Sequence, residues 1–202
     1  MLTKIYPDNP QPKEIERAAE ILRQGGIVIY PTDTVYAMGC DALDVRAVER
    51  ICRIKGMLPR QAALAVTGCD LSQLSRYVKI SNACFKLIKK NTPGPFTFIL
   101  PAGSALPKLY KNRKSVGIRI PDNLIVQEMV RVLGRPILAA SLRGEEDIIE
   151  YMTDPGLIAE KYARHADLVI DGGPGGIDPS TVVDCTGDSP EIIRAGKGRL
   201  IV

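Results

Sequence analysis

Three short segments combine hydroxyl side chains with turn residues, a pattern suited to binding a small polar ligand. They are YPTDTVYAMGCDA (30–42), VGIRIPDN (116–123) and PSTVVDC (179–185). Each adjoins a short apolar run that predicts a strand. Ligands of open α/β sheets bind outside strand ends, so we expect these segments to surround one site. Their candidate hydroxyls belong to Thr32, Thr34, Ser180 and Thr181.

Arg119 is the charged residue whose position is most informative. It alternates with the apolar Ile118 and Ile120 in a strand pattern, which places its side chain on the opposite face from theirs. A guanidinium at such a place suits a bidentate grip on a carboxylate. The spacing fits a structural salt bridge or a side chain that snorkels to the surface equally well. Thr32 is likewise either a ligand-binding hydroxyl or an ordinary turn residue.

Positive charge is concentrated in one stretch of the chain. Residues 71–121 contain ten Lys or Arg residues and no Asp or Glu, whereas the net charge of the whole chain is +4. This distribution is typical of a site for a polyanion, either a nucleotide phosphate or an RNA backbone. A solvated basic surface without a ligand is the alternative, because these side chains need not share one face.

Composition and missing motifs exclude several kinds of site. The chain has one histidine, His165, so a multi-histidine metal centre is impossible, and we expect no metal site. Its five cysteines include no CxxC pair, which argues against a zinc knuckle or a redox pair. Neither a Walker A motif nor GxGxxG occurs. The glycine-rich run 172–176 is either a flexible connection between strands or a loop that closes over a ligand.

The elements that must position these residues alternate between amphipathic helices and short β-rich runs. The predicted helices are 11–24, capped by Asp8 or Asn9, then 44–55, 70–77, 81–91, 122–133 and 154–164. The predicted strands are 27–30, 62–67, 92–102, 115–120, 136–141, 168–171, 180–185, 191–194 and 199–202. This order predicts a single α/β domain over residues 1–202 with a mixed, twisted, open sheet.

No apolar run approaches the roughly 18 residues that a membrane span needs, and the N-terminus lacks the apolar core of a signal peptide. We therefore expect a cytoplasmic protein. Separately, we expect a monomer, as a lone catalytic domain.

Eight segments together resemble the YrdC/YciO family, the threonylcarbamoyl-AMP synthase group, and its YciO branch most of all. They are YPTDTVYAMGCDA, RIKG, NTPGPFTFIL, VGIRIPDN, PILAAS, ADLVIDGG, PSTVVD and IIRAG. They occur in family order over residues 27–196. Each piece is moderately specific, and their ordered spacing together is strong. The resemblance implies an α/β twisted open sheet around a large, concave, basic cleft.

The resemblance also implies a reaction and a set of site residues. Members of the group use ATP, L-threonine and bicarbonate to make threonylcarbamoyl-AMP, a precursor of the t6A modification of tRNA, and Mg²⁺ is expected with the ATP. The positions that match the threonine site are Thr32, Arg119 and Ser180. Those that match the nucleotide site are Lys55, Ser115, Ser141 and Arg194. Some members are also described as binding double-stranded RNA, for which the candidate contacts are Lys89, Lys90, Lys111 and Lys114.

Two departures from the family pattern predict weakened catalysis or a different substrate. Synthases carry lysine, one residue and then arginine where this chain reads Lys55-Gly56-Met57. Arg60 can replace the charge that is missing at Met57 only if its loop re-aims it. The second departure is that the family's Ser-Ala-Asn is Ser141-Leu142-Arg143 here. Two other functions therefore remain open: an RNA-binding protein without catalysis, and a binding protein for an unrelated small molecule.

Overall fold

Ten strands form one mixed sheet in residues 1–58, 64–106, 113–142 and 149–202, which the computed structural model describes. The strands are β1 (Leu2–Lys4), β2 (Val28–Tyr30), β3 (Ala37–Asp41), β4 (Ala65–Thr67), β5 (Phe96–Pro101), β6 (Ser115–Arg119), β7 (Ile137–Ser141), β8 (Leu168–Asp171), β9 (Thr181–Asp184) and β10 (Glu191–Arg194). Their order across the sheet is β1-β8-β2-β3-β7-β4-β6-β5-β9-β10. Parallel and antiparallel pairs both occur, which confirms the predicted mixed, open, twisted sheet.

Helices lie against both faces of this sheet. They are α1 (Pro12–Arg23), α2 (Val45–Ile54), α3 (Leu71–Leu74), α4 (Asn82–Asn91), α5 (Leu124–Leu133), α6 (Glu150–Thr153) and α7 (Pro155–Lys161). No helix in the described ranges is long and apolar enough to cross a membrane.

The two faces of the sheet carry separate apolar cores. On the back face, α2, α4 and α7 pack against alternate residues of most strands, such as Val66, Phe98 and Ile118. On the front face, α1 and α5 pack against each other and against β2, β7 and β8. The front-face residues of β4, β5, β6 and β9 belong to neither core, so this part of the face remains available for a site.

Four predicted helix starts are confirmed by capping bonds. The side chains of Asp44, Ser81, Asn123 and Asp154 each accept a hydrogen bond from a backbone N–H in the first turn of α2, α4, α5 and α7. The start of α1 was predicted wrongly. Gln11, not Asp8 or Asn9, is its N-cap residue, no side chain caps it, and Pro12 lies in its first turn, where its missing N–H costs nothing.

Other differences concern short elements. β1, β3 and α6 were not predicted, and the helix predicted over 70–77 is only the four-residue α3. β4 begins at Ala65, and residues 62 and 63 of its predicted range lie outside the described residues. The strand predicted over 199–202 is wrong. There the Asn91 side chain binds the chain instead, donating to the Ile201 carbonyl and accepting from its N–H.

Candidate active site

A cavity of about 270 Å³ lies on the front face where the two cores leave the sheet uncovered. We call it the floor cavity, and its lining comprises Val35, Ala37, Leu64, Ala65, Thr97, Ile99, Arg113, Ser115, Val116, Gly117, Arg119, Ala139, Ser141, Ser180, Val182 and Arg194. Small side chains at the centre of the sheet create its depth. Ala65, Gly117 and Ala139 are paired neighbours on β4, β6 and β7, and a larger residue at any of them would project into this space.

A second cavity of about 240 Å³, the side cavity, adjoins the first. It is lined by Thr34, Val35, Lys55, Met57, Arg119, Ala140, Ser141, Pro179, Ser180 and Arg194. Five of these residues line both cavities. The two spaces are therefore lobes of one cleft, joined at Arg119, Ser141, Ser180 and Arg194.

Arg119 lies at the junction of the two lobes. Its register opposite Thr67 puts it on the front face, as the alternation predicted. Its Nη2 donates to Asp33 Oδ1 at 2.8 Å and to Thr34 Oγ1 at 3.1 Å. The side chain is only 11% exposed, and its Nε is buried without a partner. Arg119 thus forms a salt bridge, one of the interpretations of its position, and it also lines the cleft; its grip on a ligand carboxylate stays a prediction.

Burial sets the electrostatics of Arg119. Desolvation lowers the pKa of the guanidinium, and the neighbouring Asp33 carboxylate opposes that shift. A buried cation with one counter-ion and an unpaired Nε is poised to bind a further acceptor.

The loop between β2 and β3 separates the roles of its two threonines. Thr32 Oγ1 donates to the Val35 carbonyl at 2.7 Å and accepts from the Thr34 N–H at 3.0 Å. These bonds fix the loop, and Thr32 itself lines neither lobe. Thr34 lines the side cavity and contacts Arg119. The hydroxyl of this loop that faces the cleft is therefore Thr34, while the predicted contact of Thr32 with threonine stays a prediction.

The end of α2 brings Lys55 and Met57 to the side cavity. Lys55 is the C-cap residue, and Gly56 follows with φ +62, a left-handed conformation that glycine adopts without strain. Burial lowers the pKa of Lys55, and the positive charge of Lys161 lowers it further. Met57 lines the cleft beside Lys55, so this wall carries an apolar side chain where the family pattern has arginine.

Ser180 and Arg194 meet at the other wall. Arg194 Nη2 donates to the Ser180 carbonyl at 2.8 Å and to its Oγ at 3.2 Å, and Thr97 Oγ1 lies 2.8 Å from Ser180 Oγ. An irregularity in the β9–β10 ladder pairs Arg194, instead of Ile193, with the cleft residue Val182. Bulges of this kind re-aim side chains beside active sites.

The remaining predicted nucleotide residues also reach the cleft. Ser115 lines the floor cavity and Ser141 lines both lobes. Sequence reasoning missed three residues of the site: Asp33, Thr97 and Arg113. Arg113 could have been found from its place in the acid-free segment 71–121. Asp33 could have been found because it lies between two threonines shortly after a buried strand.

Two of the four lysines predicted to contact RNA lie on the back face of the sheet, away from the cleft. Lys89 and Lys90 are exposed at the end of α4, a back-face helix, and Lys90 Nζ donates to the Val202 carbonyl. Lys114 is exposed just before β6, and Lys111 lies outside the described residues, as do Arg60 and Arg143. RNA binding stays a prediction.

Two other sequence features have structural partners. Thr181 Oγ1 donates to the Gly198 carbonyl and accepts from the Gly196 N–H, so it holds the C-terminal segment instead of a ligand. The glycine run packs on the loop that carries Thr34, since the Gly176 N–H donates to the Thr34 carbonyl. No three His, Cys, Asp or Glu residues in the described ranges are arranged to hold a metal ion.

The comparisons with known proteins agree on one family. The family model Sua5_yciO_yrdC, described as telomere recombination, matches residues 20–196. Escherichia coli YciO, named an uncharacterized protein, is 43% identical over 96% of this chain and 94% of its own length. The threonylcarbamoyl-AMP synthase of Bacillus subtilis is 34% identical over 96% of this chain, which spans 55% of that protein.

Solved structures give the same result. The crystal structure of Escherichia coli YciO superposes with a TM-score of 0.90 at 42% identity, covering 98% of this chain and 97% of that one. The Pyrococcus abyssi Sua5 crystal structure, complexed with L-threonine, superposes with a TM-score of 0.86 at 30% identity, covering 97% of this chain and 57% of that one.

Proposed function

The chain belongs to the Sua5/YciO/YrdC family, and on this premise we propose that it is a nucleotidyltransferase of the threonylcarbamoyl-AMP synthase type. Its substrates would be ATP, L-threonine and bicarbonate. One observation carries the proposal: Lys55 and Arg119, which are far apart in the sequence, line the same side cavity together with Ser141, Ser180 and Arg194. The guanidinium that would bind the carboxylate and the ammonium that would bind a phosphate therefore line one cleft.

The proposed reaction has two steps. The amine of threonine attacks the carbon of bicarbonate, and loss of water leaves a carbamate on the nitrogen. A carbamate oxygen then attacks the α-phosphorus of ATP, the bond from that phosphorus to the bridging oxygen breaks, and pyrophosphate leaves with the electron pair. The product is threonylcarbamoyl-AMP, the precursor that the family resemblance implies for tRNA modification.

The side chains of the cleft suit this chemistry by position and charge. Arg119 would hold the threonine carboxylate, with Thr34 and Ser180 offering hydroxyls nearby. Lys55 and Arg194 would face the phosphates, and Ser115 and Ser141 would bind the nucleotide. Two reactants held side by side gain from proximity, and cations that face the phosphates stabilise the charge that develops during transfer. No covalent enzyme intermediate is needed.

The altered motif predicts slow turnover. Met57 lines the side cavity and cannot neutralise a phosphate oxygen. By analogy with a removed oxyanion donor, loss of one such contact costs about 3–4 kcal/mol of transition-state stabilisation.

The Mg²⁺ expected with ATP finds no ligand set of three acidic, cysteine or histidine side chains in the described residues. No step of the proposed mechanism is therefore assigned to a protein-bound metal ion.

Pyrophosphate release tests the proposal. Purified protein with ATP, threonine and bicarbonate should release pyrophosphate above the level of Arg119→Ala, and mass spectrometry should detect threonylcarbamoyl-AMP. Arg119→Lys is the matched variant, because it keeps a positive charge and loses the planar fork of donors. Pyrophosphate release that equals the Arg119→Ala level, with both proteins folded, would rule the activity out.

A further inference from the structure

Asp33 is an acidic residue beside the cleft, and it contacts Arg119, one of the cations that line it. It follows β2 in the loop that carries Thr34, and its side chain is 8% exposed. Oδ1 accepts from Arg119 Nη2 at 2.8 Å, and Oδ2 accepts from the backbone N–H of Asp122 at 3.1 Å. Both carboxylate oxygens are therefore held, one by the side chain and one by the turn after β6.

The backbone of Asp33 is fixed as well. Its carbonyl accepts from Lys197 Nζ at 2.6 Å, and the Lys197 N–H donates to the Pro179 carbonyl next to Ser180. The Asp33 loop is thus tied to the turn after β6 and to the segment that carries Ser180. A side chain supported from several sides keeps one orientation when a ligand arrives.

This arrangement determines which donors of Arg119 remain for a ligand. Nη2 donates to Asp33 and to Thr34, which occupies both of its hydrogens. Within the described residues, Nη1 makes no hydrogen bond, and Nε is buried without a partner. A ligand carboxylate that binds at Nη1 must therefore lie close to the Asp33 carboxylate. Like charges repel strongly at a site that water scarcely screens.

We propose that Asp33 is a positioning and specificity-determining residue, which holds the Arg119 guanidinium and offsets its positive charge, so that the carboxylate subsite favours zwitterionic α-amino acids. The ligand's ammonium offsets the repulsion between its own carboxylate and Asp33. A simple carboxylate of the same shape has no such charge and binds more weakly. The proposal rests on the proposed function, because it concerns the amino-acid end of the same site.

Affinity ratios measured by calorimetry test this role. The probes are L-threonine and 3-hydroxybutyrate, which is threonine without its amino group, and each is titrated into wild type, Asp33→Asn and Asp122→Asn. Wild type should bind threonine at least about tenfold more tightly, and Asp33→Asn should lower that preference by about tenfold. Asp122→Asn removes the same charge from an exposed neighbour and should keep the wild-type ratio.

A purely structural role would lower thermal stability and leave the ratio unchanged. If folded Asp33→Asn retains the wild-type preference, or if wild type binds both probes equally, the proposal is overturned. Asp33→Ser is the second neutral variant if Asp33→Asn does not melt cooperatively, and Asp33→Glu should retain the preference because it keeps the charge.

The outcome separates this proposal from the proposed function. A threonine preference that depends on Asp33 without any pyrophosphate release would support the specificity role and reject the synthase activity. Pyrophosphate release together with an unchanged affinity ratio in Asp33→Asn would support the synthase activity and reject the specificity role. Absence of threonine binding to wild type would overturn both.

Discussion

The front face of the sheet has a covered half and an open half, and they differ in the side chains that their strands present. Under α1 and α5, the covered half presents large apolar residues such as Val28, Ile137 and Leu168, all fully buried. The open half presents Ala65, Gly117 and other small or polar residues. The same sheet therefore makes a core where a helix covers it and a cleft where small side chains leave space.

Strand β7 shows the boundary within five residues. Its front-face residues are Ile137, Ala139 and Ser141, since side chains alternate along a strand. Ile137 is part of the apolar core, Ala139 lines the floor cavity and Ser141 lines both lobes. Along this one strand the front-face side chains become smaller and more polar. The boundary between core and cleft is therefore set by the side chains and not by a break in the sheet.

The largest expected effect comes from truncating one isoleucine in each half. Ile137→Ala should lower the free energy of unfolding by about 2–5 kcal/mol, because the fully buried side chain leaves a cavity under two helices. Ile99→Ala, on β5 in the open half, should cost about 1 kcal/mol or less, because Ile99 already borders the cleft. Urea denaturation measures both.

Equal destabilisation by these two variants would contradict the comparison. In that case the open half would be as well packed as the covered half, and the floor cavity would not be a pre-formed space. Ligand affinity is the second measurement. Folded Ile137→Ala should bind ligand as tightly as wild type, because Ile137 does not line the cleft.

A smaller effect is expected from adding the same side chain to a glycine in each half. A Cβ at Gly117 would meet Thr97 Cγ2 at 3.0 Å and otherwise point into the floor cavity. Gly117→Val should therefore weaken threonine or ATP binding by about tenfold or more. The free energy of unfolding should change by less than about 1 kcal/mol. Calorimetric titration and urea denaturation give the two values.

Gly39 is the matched position in the covered half. A Cβ there would lie 2.6 Å from Ile137 Cγ2 and 2.7 Å from a ring carbon of Tyr30. Gly39→Val should destabilise the protein by about 1–3 kcal/mol through overpacking. If Gly117→Val is the more destabilising change and leaves binding intact, the assignment of open space to Gly117 is wrong.

The covered half was easier to predict than the open half. The spacing of apolar residues identified α1, and the start of α5 could be predicted at Asp122 or Asn123 and its end at Gly134, where the structure has Asn123 and Gly134 as the caps. Such signals lie within one element. The strand β3 lacked them, because Ala37–Asp41 contains small residues and glycine and is buried on both faces.

The site required contacts between distant segments, which local patterns do not contain. Alternation placed Arg119 on the correct face, but nothing in the sequence paired it with Asp33, 86 residues away. Thr32 and Thr34 have the same chemistry and nearly the same position, and only the folded loop shows which hydroxyl faces the cleft. The bulge that aims Arg194 depends on how β10 pairs with β9, so its effect was not visible in the sequence.

The smallest expected effect concerns the charge of Lys55 at the edge of the open half. Burial and the nearby Lys161 lower its pKa below the ordinary value of 10.5. Lys55 therefore loses its proton at a lower pH than an exposed lysine, and ATP affinity should fall by no more than a few-fold as pH rises through that lowered pKa. Lys55→Arg should abolish this alkaline decline, because a guanidinium stays charged.

Stability should change in the opposite direction over the same pH range. Between the lowered pKa of Lys55 in the folded state and its ordinary value in the unfolded chain, the unfolded state binds more protons, so the free energy of unfolding rises with pH. Lys55→Arg should remove this contribution together with the decline in affinity. Parallel ATP titrations and melting curves measure both trends. If wild-type affinity stays constant up to pH 10.5, the Lys55 ammonium is not a phosphate contact, and the positive charge of the open half that faces a nucleotide must come from its arginines.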